Sequence, residues 1–228
     1  MNRKLVFLDI DGTFVSEMAA PSVRSADAVR RARGNGHRVF LATGRNMPII
    51  SREILDVGFD GVVASAGGHV EAEGQVLFTG ILPEETIQEC LSVFHDHGMY
   101  CRIETPEGIY TDPQMEELVR SARPDKTNSE LIRMQKEIEE GLRVLPYEKY
   151  PGRGAYKVCF TSTSLETIER TSRTWRNSLS SWCIPLRTVP SVSTGRSFPG
   201  GSARAGAWSL CASISGLPLR TRWLSATA

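Results

Sequence analysis

The chain has 228 residues, 40% of them hydrophobic and 23% charged, with 27 basic against 26 acidic residues. That length and apolar share suffice for one sizeable core or two small ones, and they exclude a collagen, a coiled coil or a wholly disordered chain. No apolar run approaches membrane-spanning length and no signal-peptide pattern is present, so the cytoplasm is the expected compartment and no membrane partner is expected.

Residues 4–8 read as an apolar strand that runs straight into Asp9-Ile10-Asp11-Gly12-Thr13. Residues 22–33 read as a helix, with Val23, Ala26, Val29 and Ala32 on one face, and Asn35-Gly36 stops it. A second strand over 38–42 ends in Thr43-Gly44-Arg45. Ile50, Ile54 and Val57 space a second helix, and 61–65 reads as a third strand. Strand, helix, strand, helix, strand predicts a parallel sheet covered on both faces, a doubly wound α/β core. A hairpin turning near Glu73-Gly74 follows. Pro83 suits a helix first turn, with Ile87, Leu91 and Phe94 on the buried face. Strands over 99–104 and 108–111, helices near 113–122 and 129–140, and a strand over 156–161 read as an α/β insert. Past about 170 no sustained period remains.

Charge divides the chain as sharply as pattern does. All 26 acidic residues lie in 1–169, which hold 19 basic ones, a net of −7. The other 59 residues carry eight arginines, no lysine and no acid, together with all four tryptophans and twelve serines. Such a stretch superficially suits a nucleic-acid-binding arm. Its arginines are scattered and no binding motif appears, so no nucleic-acid partner is expected. The five cysteines (Cys90, Cys101, Cys159, Cys183, Cys211) are odd in number and form no CxxC pair, which predicts neither a disulfide framework nor a zinc site.

In an open parallel sheet, ligands bind at the carboxyl ends of the strands. Asp9 and Asp11 sit there on the first strand and Thr43 on the second. Alternation puts the two aspartates on one side with Ile10 between them. Two carboxylates in a phosphate site call for a cation, and Mg2+ prefers one or two carboxylates plus phosphate oxygens. One carboxylate can then attack phosphorus while the other handles protons. Gly12 permits a tight turn whose N–H groups face a phosphate; the Thr43 hydroxyl and the N–H groups from Gly44 onward could hold another oxygen. A lone Asp-x-Asp-Gly is equally well a turn after a strand, and a lone Thr-Gly-Arg a helix cap. The pairing of the two carries the reading.

These residues resemble the haloacid dehalogenase-like (HAD) superfamily: LVFLDIDGTFV is similar to its first motif and VFLATGR to its second. Only one helix and one strand separate them, so the resemblance is to the Cof-type subfamily, with the insert from 83 as its cap. It implies a core first half over 1–82, a cap over 83–169 that in relatives extends to about 185, and an aberrant basic tail over 170–228 in place of the core's second half. It also implies Asp9 as nucleophile forming an aspartyl-phosphate and Asp11 as general acid/base. Mg2+ would sit on Asp9 and Asp11, the latter through its backbone carbonyl, and Thr43 would bind phosphate. Arg45, Gly67 and Gly68 are candidate substrate contacts, and the partner is a small phosphorylated molecule. His69 suits either a ligand contact or a solvated loop. Glu137, Glu139 and Glu140 suit an exposed helix face, and His95 and His97 diverge too far to share a metal.

The family pattern also calls for a later lysine, usually in Ser-Lys-Gly, and a Gly-Asp pair. No lysine follows Lys157 and no acid follows Glu169. A shifted reading frame recovers both. Leu219 to Ala228, written CTG AGG ACA CGG TGG CTT TCG GCG ACA GCx, shifts to Glu-Asp-Thr-Val-Ala-Phe-Gly-Asp-Ser. Ser202 to Ala205, written TCA GCA AGG GCx, shifts to Ser-Lys-Gly in the same frame, 23 codons before that aspartate. The expectation is a frame slip near 170.

Overall fold

The computed structural model describes residues 3–15, 20–122, 129–139, 144–162, 166–167, 170–171, 183–185 and 193–197. They fall into two compact units that divide between Thr79 and Gly80.

The first unit runs β1 (Leu5–Leu8), α1 (Val23–Gly34), β2 (Arg38–Ala42), α2 (Arg52–Leu55), β3 (Gly61–Ala64), β4 (His69–Ala72) and β5 (Gln75–Thr79). The strands form one sheet in that order, parallel from β1 to β3 and antiparallel from β3 to β5. Ser22 starts α1 by accepting the Ser25 N–H at 3.0 Å, and Arg31 and Arg33 fill its last turn, where a cation complements the helix dipole. Ala26 and Val29 of α1 and Ile54 of α2 pack with Val39, Leu41, Val62 and Ala64. The alternate strand residues Phe40 and Val63 pack with Val70 and Ala72 on the opposite face.

Both crossover helices therefore cover the same face. Right-handed crossovers in the unbroken order β1-β2-β3 require this. The sequence predicts helices on both faces, but winding onto the second face needs strands beyond β1, and among the described residues β1 pairs with β2 alone. Its run Leu5-Val6-Phe7-Leu8 has the composition of a strand buried on both sides, yet Val6 is 36% exposed.

The helix expected around 50–57 is broken in two. A 3-10 turn over Met47–Ile49, with Pro48 in its first turn, is followed by extended Ile50 and Ser51 and only then by α2. Ile50, Ile54 and Val57 are buried all the same. The hairpin at Glu73-Gly74 forms as the spacing predicts, with φ of +52° and +76° in a two-residue turn. Asp60 pins the lower end of the sheet: it takes Arg33 at 3.1 Å, Arg38 at 3.0 Å and the Val39 N–H at 2.8 Å.

The second unit holds α3 (Glu84–Asp96), β6 (Tyr100–Glu104), β7 (Ile109–Thr111), α4 (Pro113–Ser121), α5 (Ser129–Glu139), β8 (Val144–Pro146), β9 (Lys157–Ser162), β10 (Cys183–Pro185) and β11 (Ser193–Ser197). Its sheet order is β10-β11-β9-β6-β7-β8. Ile87, Leu91 and Phe94 of α3 pack on Cys101, Ile103, Val158 and Phe160. The alternate face carries buried charge. Arg102 meets Glu104 at 3.3 Å and Glu137 at 2.6 Å, and Lys157 meets Glu104 at 2.9 Å. Glu137 is thus a buried partner, not part of an exposed helix face; Glu139 is exposed, and Glu140 lies outside the described residues. At the mouth of this unit Leu82 and Ala155 exchange two backbone hydrogen bonds, of 2.7 and 3.3 Å.

Two strands from the stretch past 170, β10 and β11, extend this second sheet. Most of that stretch, including the positions of both recovered motifs, lies outside the described residues.

Candidate active site

Asp9 leaves the carboxyl end of β1 and is exposed, while Ile10 behind it is fully buried. The chain then turns back tightly. The Ile10 carbonyl accepts from Phe14 and Val15 at 3.1 and 2.9 Å, and the Asp9 carbonyl accepts from Phe14 at 3.1 Å. Gly12 sits at φ +73°, and a Cβ there would meet nothing within 4 Å. Its glycine is needed for backbone conformation, not for space. The Gly12 N–H donates to the Val15 carbonyl at 3.0 Å, so in this structure it is not turned toward a ligand.

The β1–β2 pairing is parallel with Leu8 opposite Leu41, so Asp9 and Thr43 emerge at the same edge. Thr43 is buried and stitched in place. Its N–H donates to Val63 at 2.8 Å, its carbonyl accepts from Ala66 at 3.0 Å, and its Oγ1 accepts the Arg45 N–H at 3.0 Å. Gly44 stands between them. The Arg45 side chain, 6% exposed, forks onto Asp11: Nη2 to Oδ1 at 2.7 Å and Nε to Oδ2 at 3.1 Å. Bidentate pairing of this kind fixes a carboxylate in plane and direction. Arg45 is therefore engaged with Asp11, where the sequence offers it as a substrate contact.

After β3 the chain passes through Ser65, Ala66 and Gly67, all at positive φ (+51°, +56° and +101°). The Ser65 N–H donates to the Arg45 carbonyl at 2.8 Å, and its hydroxyl donates to Asn46 Oδ1 at 3.2 Å. Gly67 and Gly68 are buried in this turn. His69 is the first residue of β4 and is buried, so the solvated-loop reading does not hold. The Asn46–Ser65 contact and the Arg45–Asp11 fork are site features that sequence reasoning missed. The Thr-Gly-Arg spacing singles out Arg45, but nothing local announces its partner 34 residues away.

The donor chemistry suits Mg2+. The oxygens in position for it belong to the Asp9 carboxylate, on an exposed residue, and to the Asp11 main-chain carbonyl in the turn that follows. The Asp11 carboxylate is occupied by Arg45. Hard oxygen donors of this type are what Mg2+ takes.

A family model of haloacid dehalogenase-like hydrolases matches residues 6–194. The chain belongs to that family. This HAD-like hydrolase is 31% identical over 91 residues to YkrA of Bacillus subtilis, covering 40% of the chain and 35% of that protein. It is 28% identical over 131 residues to the phosphatase YwpJ of the same bacterium, covering 54% and 46%. The matches thus span between a third and a half of these curated relatives' lengths. Its fold is similar to that of a solved HAD subclass IIB sugar phosphatase, with a TM-score of 0.67 at 19% identity over 96% of this chain and 78% of that one. The second α/β unit following the Thr-Gly-Arg motif agrees with the Cof-type pattern. No helix of the described residues is long and apolar enough to cross a membrane.

Proposed function

We propose that this HAD-like hydrolase carries a Mg2+-dependent phosphatase site for a small phosphorylated metabolite, a sugar phosphate or a phosphorylated cofactor. The observation that carries the reading is the Arg45 fork on Asp11 beside an exposed Asp9 at the edge that Thr43 shares. An Asp9 carboxylate oxygen attacks phosphorus, the P–O bond to the alcohol breaks, and Asp11 gives that oxygen its proton. Asp11 then takes a proton from the water that hydrolyses the aspartyl-phosphate, which frees Asp9. Arg45 holds Asp11 in orientation through both steps. Thr43 holds a phosphate oxygen through its hydroxyl proton. Asp9 and the Asp11 carbonyl would hold Mg2+, which would supply charge neutralisation there. The sugar phosphatase of similar fold supports the substrate class.

A second reading is a non-catalytic remnant that binds phosphate through Asp9, Gly12 and Thr43. It is favoured by the absence, within these 228 residues, of any lysine after Lys157 or acid after Glu169. Losing one electrostatic element of such a site costs on the order of a hundredfold or more in rate. The sequence as given is therefore expected to hydrolyse p-nitrophenyl phosphate with Mg2+ near background, and a frame-restored version to be active, with Asp9→Asn abolishing turnover. Full Asp9-dependent turnover by the given sequence overturns the remnant reading. A folded, inactive frame-restored protein overturns the phosphatase reading.

A further inference from the structure

We infer that the second unit carries a transition-metal site of its own, built from His95, Cys101 and Asp112 and suited to Zn2+. The three come from separate elements: His95 from the last turn of α3, Cys101 from β6, and Asp112 from the residue that caps α4. One ligand atom from each lies within 4.8 Å of the others. His95 Nε2 already meets Asp112 Oδ2 at 2.8 Å, and the same oxygen accepts the Cys101 N–H at 2.6 Å. The carboxylate is thus held in place, facing both other ligands. His95 is half-exposed, Asp112 is 10% exposed in its side chain, and Cys101 is buried. The site has one open side and two fixed walls.

Nitrogen, sulfur and carboxylate oxygen in one cluster select Zn2+ over Mg2+, which shuns thiolates. Three protein ligands leave a fourth tetrahedral position for water on the open side. The Asp9–Asp11 edge offers only oxygen, so the two sites prefer different ions. Binding would form the S–Zn bond and release the Cys101 thiol proton to solvent. Zn2+ would replace the His95 Nε2–Asp112 Oδ2 hydrogen bond, and the proton between those two atoms would pass to Nδ1 or to solvent so that the Nε2 lone pair faces the metal. His97, two residues on, turns its Nδ1 back to the Val93 carbonyl at 2.8 Å, and the partners proposed for His95 come from across the fold.

Titration of the full chain with Co2+, read by absorption, tests the assignment. One equivalent should raise a thiolate-to-metal band in the near ultraviolet, and Zn2+ should remove it. The oxygen-only site is silent in that band. His95→Gln at a half-exposed position and Cys101→Ser should each weaken binding beyond the 10- to 100-fold typical of an outer-shell change, while His97→Ala and Cys90→Ala keep the band. A bare His95–Asp112 hydrogen bond gives no band. Either no band with the unaltered chain, or a band that survives in a folded Cys101→Ser, overturns the site.

Discussion

Asp11 and Arg45 meet through two hydrogen bonds of 2.7 and 3.1 Å, and in the proposed mechanism the geometry of that fork has kinetic weight. A lysine in place of Arg45 keeps the charge but not the planar pair of donors. In the frame-restored enzyme, Arg45→Lys should lower kcat on the order of tenfold to a hundredfold with KM little changed, as misplacement of a proton-handling group does. Steady-state kinetics on p-nitrophenyl phosphate reads this directly. Asp60 makes a second prediction. Burial pushes its carboxyl up, but Arg33, the Val39 N–H and Arg38 together outweigh it and hold the group below its ordinary value. A depressed folded-state value stabilises above the unfolded one, near 3.8, and the contribution is lost as pH falls through the folded value. Asp60→Ala should cost about 1–3 kcal/mol at neutral pH, because the Val39 N–H loses its buried acceptor. That deficit should shrink in urea melts below pH 4. That Asp9 and Thr43 emerge at one edge of the sheet is legible in sequence, because strand, turn and residue type are local. The partners of Arg45, Glu137 and Asp60 are not, since each is chosen by a contact 20 or more residues away.

Among the elements, the loop after β3 stores backbone strain next to the site. Ala66 at φ +56° occupies a region that disfavours a Cβ by roughly 1–2 kcal/mol. Ala66→Gly should leave the loop in place and be neutral or stabilising by up to about 1 kcal/mol, read as a shift in urea midpoint. The start of β3 shows the opposite case. A Cβ on Gly61 would strike the Glu71 carbonyl and approach the Phe40 ring at 2.7 Å. Gly61→Ala should therefore destabilise by about 1–3 kcal/mol, the ordinary cost of overpacking. Elements with a clean period were legible: α1, β2, α3 and the β4–β5 hairpin appear where their apolar spacing and turn residues put them. The stretch 47–57 was not, because buried isoleucines at helical spacing also suit a 3-10 turn followed by a short helix. Which face the helices cover depends on strand order, and periodicity carries no information about order.

At the scale of the molecule, the place of β1 in the first sheet has a physical outcome. Leu5-Val6-Phe7-Leu8 has the apolar composition of an inner strand and pairs with β2, yet Val6 is 36% exposed. An exposed apolar position on a strand favours association between chains, and a charge there opposes it. Val6→Lys should therefore reduce any self-association of the protein, as sedimentation velocity would show. An unchanged sedimentation profile counts against Val6 as a contact between chains.

The two hydrogen bonds between Leu82 and Ala155 bring the start and finish of a long excursion into contact. A segment whose two ends are already joined is closed at an entropic cost that rises only slowly with its length. Extra residues in the turns between those two positions should therefore be tolerated at little thermodynamic penalty, provided that β6 keeps its pairing with β9.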